Sequence, residues 1–357
     1  MTRSAALVAG LAPGLLVLSG CGGGHGALDG AKTDYAQSFG DTTLTPTFTD
    51  VRNEGRALDD TLDVLEAAVD ASTLGSAQAQ WRVAHTEWSR SEALLFDRLD
   101  DLFFIFQVDE VDVDTAAVEA VIAGATTIDV DLILNSGTQL KGFHVLEYLL
   151  FSDDLGGATP LAALQASPRR VAYAASVAEE LELRLDEVLT VAQSLGLEAS
   201  VATTREARLL VDQVVNQVIL RAEQIADQGL GRPLGMTSGG EPQEVGVESP
   251  WAEHSIQDME AELAGIRLLW RGADGDSGLA SMMRLREPES IERVESSVRG
   301  LEYALALLEG PLLTAAENDR PTVLDAFDSA KNLAQTFRVV LPRGLLVTGF
   351  ASPFDGD

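Results

Sequence analysis

The sequence predicts an all-α protein made of two packed helical-bundle domains. Apolar residues recur at three- and four-residue spacing through most of the chain, which is the pattern of amphipathic helices. No strand is predicted, because paired turn signals are lacking around even the Val-rich stretch 211–220. With 357 residues the chain exceeds the usual size of one hydrophobic core, and this favours two domains.

Prolines and glycines indicate where the helices begin and where the domains divide. Ser167-Pro168 and Glu287-Pro288 place a proline in the first turn of a helix, where no N–H donor is required. Residues 229–250 contain six glycines and three prolines, so the boundary is placed there, between a domain of residues 48–230 and one of residues 231–357. The predicted helices span residues 49–71, 75–98, 115–134, 138–152, 168–195, 200–229, 253–271, 288–309 and 320–343.

The N-terminus has the pattern of a bacterial export signal, predicted to span residues 1–20. Arg3 supplies a positive charge, residues 5–18 are apolar, and Leu18-Ser19-Gly20-Cys21 matches a lipoprotein cleavage box. Cys21 is the only cysteine, which excludes an intrachain disulfide and leaves acylation as its expected role. Several acyl chains on Cys21 would anchor the mature protein to a membrane.

The segment after the cysteine is expected to be a flexible tether over residues 21–47, because it is rich in Gly, Thr, Asp and Ser. Gly22 follows Cys21 where an aspartate would otherwise signal retention at the inner membrane. By analogy with enteric lipoproteins, this favours the outer membrane, with the protein facing the periplasm.

The charge of the chain excludes one class of partner. The formal net charge is −31, from 56 acidic and 25 basic residues. Nucleic acid is excluded, because phosphate binding depends on Lys and Arg. A negative field attracts cations in a general way, although the same charge also serves solubility.

The most informative motif is Gly142-Phe143-His144-Val145-Leu146-Glu147. The three-residue spacing places His144 and Glu147 on one face of a helix, among apolar neighbours that predict burial. A buried ionisable pair must be hydrogen-bonded or bound to a cation. Two interpretations stay open: a structural pair, or two ligands of a metal site that needs at least one further residue.

Glu92 is the candidate for that further ligand. It lies in the inward stripe that Trp81, Trp88 and Leu95 define on one predicted helix. Glu92 could face His144 and Glu147 across the bundle, as in carboxylate–histidine sites that suit iron, manganese or zinc. Alternatively, it could bond to the indole of Trp81 or Trp88, or pair with an arginine.

The other two histidines of the bundle are assigned no ligand role. His85 has Arg82, Glu87 and Arg90 as neighbours on its helix, and these charges predict a solvated side. His254 begins the helix that follows the predicted boundary, and capping is its expected role.

These motifs together resemble the imelysin family of bacterial envelope proteins, which includes the iron-regulated protein A group. Gly142, His144 and Glu147 are similar to the family's Gly-x-His-x-x-Glu signature, and Ser91-Glu92 is similar to its Ser-Glu helix. The segment Leu102 to Asp114 departs from the family by lacking its Gly-Pro and Trp-Pro turns. Further resemblance is carried by Trp81-Arg82, Trp88, Phe96, Leu230 to Gly235, Ser249-Pro250 through Trp270 with Gly265-Ile266-Arg267, Val347 to Phe350 and Asp355 to Asp357.

The resemblance implies iron-linked physiology. The resemblance predicts an outer-membrane lipoprotein that binds iron or another divalent metal through His144, Glu147 and Glu92. The protein would assist uptake of the metal and would act together with an uptake-system protein. Two alternatives stay open. The family was named for an insulin-cleaving peptidase, so a metallopeptidase is one, although too few ligands are recognisable for it to be preferred. A metal-free interaction module of the envelope is the other.

A weak internal sequence similarity, referred to below as the internal echo, indicates an internal duplication. Residues 140–144 align with residues 263–267, so that Arg267 takes the place of His144 and Trp270 that of Glu147. A duplication would leave one polar site rather than two, and chance similarity between Leu-rich helices would explain the echo equally well. Arg267 is expected to pair with a carboxylate across the domain interface.

Overall fold

The computed structural model describes residues 23–153, 158–236, 238–240, 243 and 247–347. Within these ranges the chain is helical and forms no strand, so the predicted all-α class is confirmed. The predicted signal peptide, Cys21 and the terminal segment after Val347 lie outside the described residues. None of the described helices combines the length and apolarity that crossing a membrane requires.

Eleven of the α-helices that the described residues form lie before the Gly- and Pro-rich segment, and five lie after it. The first set is α1 (Gly23–Phe39), α2 (Thr45–Ala67), α3 (Ala71–Ser91), α4 (Arg98–Asp101), α5 (Phe104–Val108), α6 (Thr115–Ala123), α7 (Val130–Leu134), α8 (Phe143–Phe151), α9 (Pro160–Ala166), α10 (Pro168–Ser200) and α11 (Thr204–Gln224). The second set is α12 (Ser255–Arg271), α13 (Leu279–Met283), α14 (Ile291–Leu305), α15 (Leu312–Asn318) and α16 (Arg320–Leu345). Gly40–Leu44 and Ile225–Leu230 are π-helical, and Glu92–Leu94, Thr138–Leu140 and Pro288–Ser290 are 3-10 turns.

The predicted helices correspond to observed ones, with local differences at polar caps. The predicted helix 115–134 is divided into α6 and α7, because α6 ends before Gly124 and Asp129 caps a new helix through the backbone N–H of Leu132. The predicted helix 138–152 begins as a 3-10 turn, and α8 starts only after Gly142.

The expectation of a flexible tether is wrong for residues 23–47. This segment forms α1 and the start of α2, and α1 packs against α10 and α11. Leu28 and Phe39 are buried at 1% exposure, so an apolar stripe stabilises a helix of modest propensity through tertiary contacts. At Gly40 the backbone crosses α10 so closely that an added Cβ would lie 2.5 Å from the Cα of Gly196.

Helix α3 lies at the centre of the packing that builds the candidate site. It packs against α2 on one side and against α12 on the other, while α8 crosses it near its middle. Nearly all the buried apolar residues that the structure describes form one continuous cluster from Leu28 to Val347, and Ala36, Ala202 and Ala207 form a small second one. Because this core extends across residue 230, the division into domains of residues 48–230 and 231–357 stays a prediction.

The internal echo aligns two segments that the structure places differently. Gly142 precedes α8 with a φ of +83°, whereas Gly265 lies inside α12. The internal duplication therefore stays a prediction. Arg267 pairs with Glu302 of α14 at 2.7 Å. Both residues lie after residue 230, so the expected pair across the domain interface is not the one that forms.

Candidate metal centre

The start of α8 is fixed against the end of α5 by Gly142. An added Cβ at Gly142 would lie 2.5 Å from the carbonyl oxygen of Val108, and the φ of +83° disfavours any other residue. This close contact brings α8 beside Asp109, the residue that follows α5. The motif glycine therefore places His144 next to a carboxylate that lies 35 positions earlier in the chain.

The imidazole of His144 has carboxylates at both of its nitrogen atoms. Its Nδ1 lies 2.9 Å from Oε2 of Glu147, and its Nε2 lies 2.9 Å from Oε1 of Glu248 and 3.3 Å from Oδ1 of Asp109. Oε1 of Glu147 accepts a 2.7 Å hydrogen bond from the backbone N–H of Ala252. Both Glu147 oxygens are thereby engaged, and the carboxylate orients the imidazole.

His85 repeats this arrangement from α3. Its Nδ1 lies 2.9 Å from Oδ1 of Asp258 on α12, and its Nε2 lies 3.0 Å from Oδ1 of Asp109 and 3.5 Å from Oε1 of Glu248. Trp81 stacks on the ring with centroids 4.7 Å apart and planes 8° apart. The prediction of a solvated His85 is wrong, because α12 covers that side of α3.

The four groups that meet are His85, Asp109, His144 and Glu248. Each offers one ligand atom, and these atoms lie within 4.8 Å of one another. The two histidines and Asp109 are buried, whereas the Glu248 side chain is 28% exposed. Within the described residues, this is the group of His, Cys, Asp and Glu side chains that could hold a metal ion.

The electrostatics of the cluster favour positive charge. Burial lowers the pKa of His85, but the carboxylates of Asp258 and Asp109 outweigh it and hold the pKa well above its usual value. Burial acts on His144 in the same way, and Glu248 and Asp109 raise its pKa well above the usual value. Burial raises the pKa of Asp109, yet the two imidazoles lower it overall.

The donor set fits a divalent metal ion. Two imidazole nitrogens and two carboxylate oxygens suit iron, manganese or zinc. Ligand atoms held about 2.1 Å from a metal lie about 3.0 to 3.4 Å apart in octahedral or tetrahedral geometry, and the Nε2–oxygen separations of 2.9 to 3.5 Å agree with this. Carboxylates that fix the other nitrogen of each ligating histidine are a general feature of metal sites.

The structure places two of the predicted ligands, Glu147 and Glu92, outside the four-residue cluster. Glu147 lies behind His144 and not in the cluster. Glu92 is bonded to the guanidinium of Arg221 on α11 and also hydrogen-bonds with Asp109, so it supports the cluster from outside. Burial raises the pKa of Glu92 well above its usual value, and Arg221 opposes this. Ser91 donates to the carbonyl oxygen of Trp88 and has a local structural role.

His254 precedes α12 as predicted, but its side chain does not cap the helix. Its Nε2 lies 3.0 Å from the hydroxyl of Thr86 instead. Burial lowers the pKa of His254, opposite to the direction at His85 and His144. This histidine is therefore a neighbour of the cluster and not a member of it.

A chamber of about 370 Å³ opens onto the carboxylate side of the cluster. Its wall includes Asp109 and Glu248, together with Glu92, Arg221 and Glu262. Burial raises the pKa of Glu262 to about 8. The two histidines are not part of this wall, so the imidazoles form the back of the site and the carboxylates its front.

Sequence reasoning missed His85, Asp109 and Glu248. Asp109 is one of four acidic residues in the segment that departs from the family pattern, and spacing alone does not distinguish it. Glu248 lies inside the Gly- and Pro-rich segment 229–250, for which the sequence predicts only a domain boundary. The contact between α12 and α3 and the turn at residues 247–254 bring these residues together.

The fold and this cluster define the class of the protein: an all-helical protein with a buried histidine–carboxylate centre. The imelysin family model matches residues 44–335, and the chain belongs to the imelysin family. Among curated proteins no significant match is found.

Two solved structures share the fold. A protein named as an iron-regulated protein A precursor, from Parabacteroides distasonis ATCC 8503, aligns with a TM-score of 0.72 at 18% identity, over 88% of this chain and 95% of its own. An imelysin-like protein from Psychrobacter arcticum 273-4 aligns with a TM-score of 0.75 at 16% identity, over 90% of this chain and 98% of its own.

Proposed function

We propose that this protein binds iron or another divalent metal ion at the cell envelope and assists its uptake. The observation that carries the proposal is the convergence of the Nε2 atoms of His85 and His144 on the same two carboxylates, Asp109 and Glu248. A buried cluster of this kind needs a cation, which protons on the histidines or a metal ion can supply. The fold shared with a protein named as an iron-regulated protein A precursor supports an iron-linked role.

Metal content after reconstitution tests the centre. Purified protein is incubated with ferrous, manganous or zinc ions, dialysed and analysed by elemental mass spectrometry. We expect wild type to retain about one ion per chain, and His144→Ala and His85→Ala to lose most of it. His254→Ala is the matched control, because His254 is also buried beside Trp81 but lies outside the cluster. Equal metal content in all four proteins would favour the metal-free interaction module.

Binding is preferred to hydrolysis because Glu147 and Glu92, the two predicted carboxylate ligands, are already bonded within the protein. Metallohydrolysis needs a metal-bound water beside an available general base. Glu147 is bonded to His144 and to the Ala252 backbone, and Glu92 is bonded to Arg221. Incubation with unfolded casein gives the check: cleavage that chelation abolishes and that His144→Ala removes would reverse this preference.

The proposed location depends on acylation of Cys21. The lipoprotein box predicts that the mature chain is retained at the outer membrane and faces the periplasm, where a metal ion could pass to an uptake-system protein. Cys21→Ser should release the protein from the membrane fraction. A strain that depends on this protein for growth on limiting iron should be restored by wild type and not by His144→Ala.

A further inference from the structure

The chamber beside the cluster contains polar groups that the protein leaves unpartnered. Arg221 is 9% exposed, and its Nε has no hydrogen-bond partner among the described residues. On the same wall, Oε1 of Gln224 is buried and likewise lacks a partner within the described part of the chain. A buried donor without a hydrogen-bond partner is unfavourable, so a ligand that accepts a hydrogen bond from the Arg221 Nε would be stabilised.

These groups lie close to the proposed ion. Glu92 hydrogen-bonds with Asp109 of the cluster and is bonded to Arg221, so one carboxyl group separates the guanidinium from a ligand residue. Of the four cluster residues, only Asp109 and Glu248 face the chamber. An octahedral ion with four protein ligands keeps two positions for other ligands, and these would face the chamber rather than the histidines.

The charges of the chamber permit an anion once a metal is present. A divalent ion would neutralise Asp109 and Glu248, and Arg221 already pairs with Glu92. The other charged groups of the wall are Arg232, Glu262, Asp100 and Glu110. Burial raises the pKa of Glu262 to about 8, so this carboxyl group is mostly uncharged at neutral pH, while Asp100 is exposed and Glu110 is half-buried, so that solvent screens their charges. The volume of about 370 Å³ lies within the range of small-molecule sites and is ample for an organic acid.

We propose that the chamber binds a small chelating organic anion, such as a polycarboxylate, that completes the coordination of the metal and is held at its far end by Arg221 and Gln224. This inference rests on the proposed metal centre. The protein would accordingly take up the ion as a chelate and not as the aquo ion alone. Planar donors such as guanidinium suit carboxylate oxygens, and the Gln224 amide can rotate to donate as well.

The test measures citrate binding by equilibrium dialysis with radiolabelled citrate, on zinc-loaded and metal-free protein, with zinc content measured in every retentate. We expect the loaded wild type to hold about one citrate per chain and the metal-free protein to hold much less. Arg221→Gln should weaken citrate binding roughly tenfold or more, because a charged hydrogen bond is lost. Acetate, which cannot chelate, should not compete.

Two further variants keep the result decisive. Gln224→Leu removes a carboxamide whose Oε1 has no hydrogen-bond partner within the described residues. This variant should therefore fold and still weaken citrate binding even if Arg221→Gln destabilises the chain. Arg267→Gln removes a surface arginine that pairs with Glu302 and should bind citrate like wild type. Zinc affinity measured without citrate should be similar in wild type, Gln224→Leu and Arg267→Gln.

The outcomes separate this inference from the proposed function. If zinc binds but citrate does not, if citrate strips the zinc, or if Gln224→Leu and Arg221→Gln bind citrate like wild type, the chelate inference is overturned and the metal centre stands. If zinc itself does not bind to wild type, the metal centre fails and the inference fails with it.

Discussion

His85 and His144 face each other edge to face, with ring centroids 5.3 Å apart and planes at 69°. They come from α3 and α8, and each has its Nδ1 fixed by its own carboxylate while its Nε2 faces the shared pair. This relationship makes the site symmetric in its chemistry although the two helices differ in length and packing. It also separates residues that would bind an ion from residues that orient the binding groups.

The orienting carboxylates should tune metal affinity without setting the number of ions bound. Glu147→Gln and Asp258→Asn each remove the negative charge behind one imidazole, and we expect metal affinity to fall by about 10- to 100-fold with stoichiometry unchanged. Isothermal titration measures both quantities. Glu302→Gln, which alters a carboxylate remote from the cluster, is the control. A loss of stoichiometry in Glu147→Gln would instead make Glu147 a ligand.

The metal-free protein should lose stability as pH rises. The pKa values of His85 and His144 lie well above the unfolded value of 6.5, so the folded state holds more protons. Their contribution is fully present below about pH 6.5 and is lost as pH rises through the folded pKa values. Glu262, with a pKa raised from 4.5 to about 8, acts in the same direction between those values.

The stabilisation that the metal ion provides should instead grow as pH rises over the same range. Metal binding displaces the imidazole protons, so the increase in melting temperature on adding metal should grow from pH 5.5 to pH 8, values chosen to bracket the ordinary histidine pKa of 6.5. Differential scanning fluorimetry with and without the ion measures this. In His144→Ala the increase should be small at every pH. An increase that shrinks with rising pH would contradict metal binding by the imidazoles.

Gly142→Ala should destabilise both the fold and the site. The new Cβ would meet the Val108 carbonyl, and the positive φ is strained for alanine, so we expect a loss of about 1 to 3 kcal/mol in the free energy of unfolding. Because the contact positions α8 against Asp109, metal affinity should also fall. Gly137→Ala is the matched control, since nothing lies within 4 Å of its added Cβ and its φ is −67°. Urea titration measures the difference.

A second acidic region offers a test away from the cluster. Asp59 of α2 lines a groove with Glu179 and Glu182 of α10, and burial together with Asp63 and these carboxylates raises its pKa to about 7. Its charge therefore disfavours the folded state above pH 7. Asp59→Asn should raise the urea midpoint at pH 8 and have little effect at pH 4, near the unfolded pKa of 3.8. Asp328→Asn, an exposed change on α16, should have little effect at either pH.

The sequence by itself determined the helical class, most helix positions and the central motif. Periodic apolar residues predict helices, because a helix must bury one face, and the spacing of His144 and Glu147 fixed their mutual contact. The resemblance carried by Gly142 and its neighbours also led to the correct family.

Only the tertiary structure decided which residues complete the site. His85 looked solvated on its own helix, because the residues that cover it belong to α12, more than 160 positions later. Asp109 and Glu248 lie outside regular helices, where no periodicity marks a direction. Glu92 and Glu147 point inward, as predicted. Only the tertiary structure shows that Glu92 bonds to Arg221 and that Glu147 accepts a hydrogen bond from the Ala252 backbone. The local sequence pattern shows which face of a helix is buried. The composition of a site depends on which distant segment of the chain covers that face.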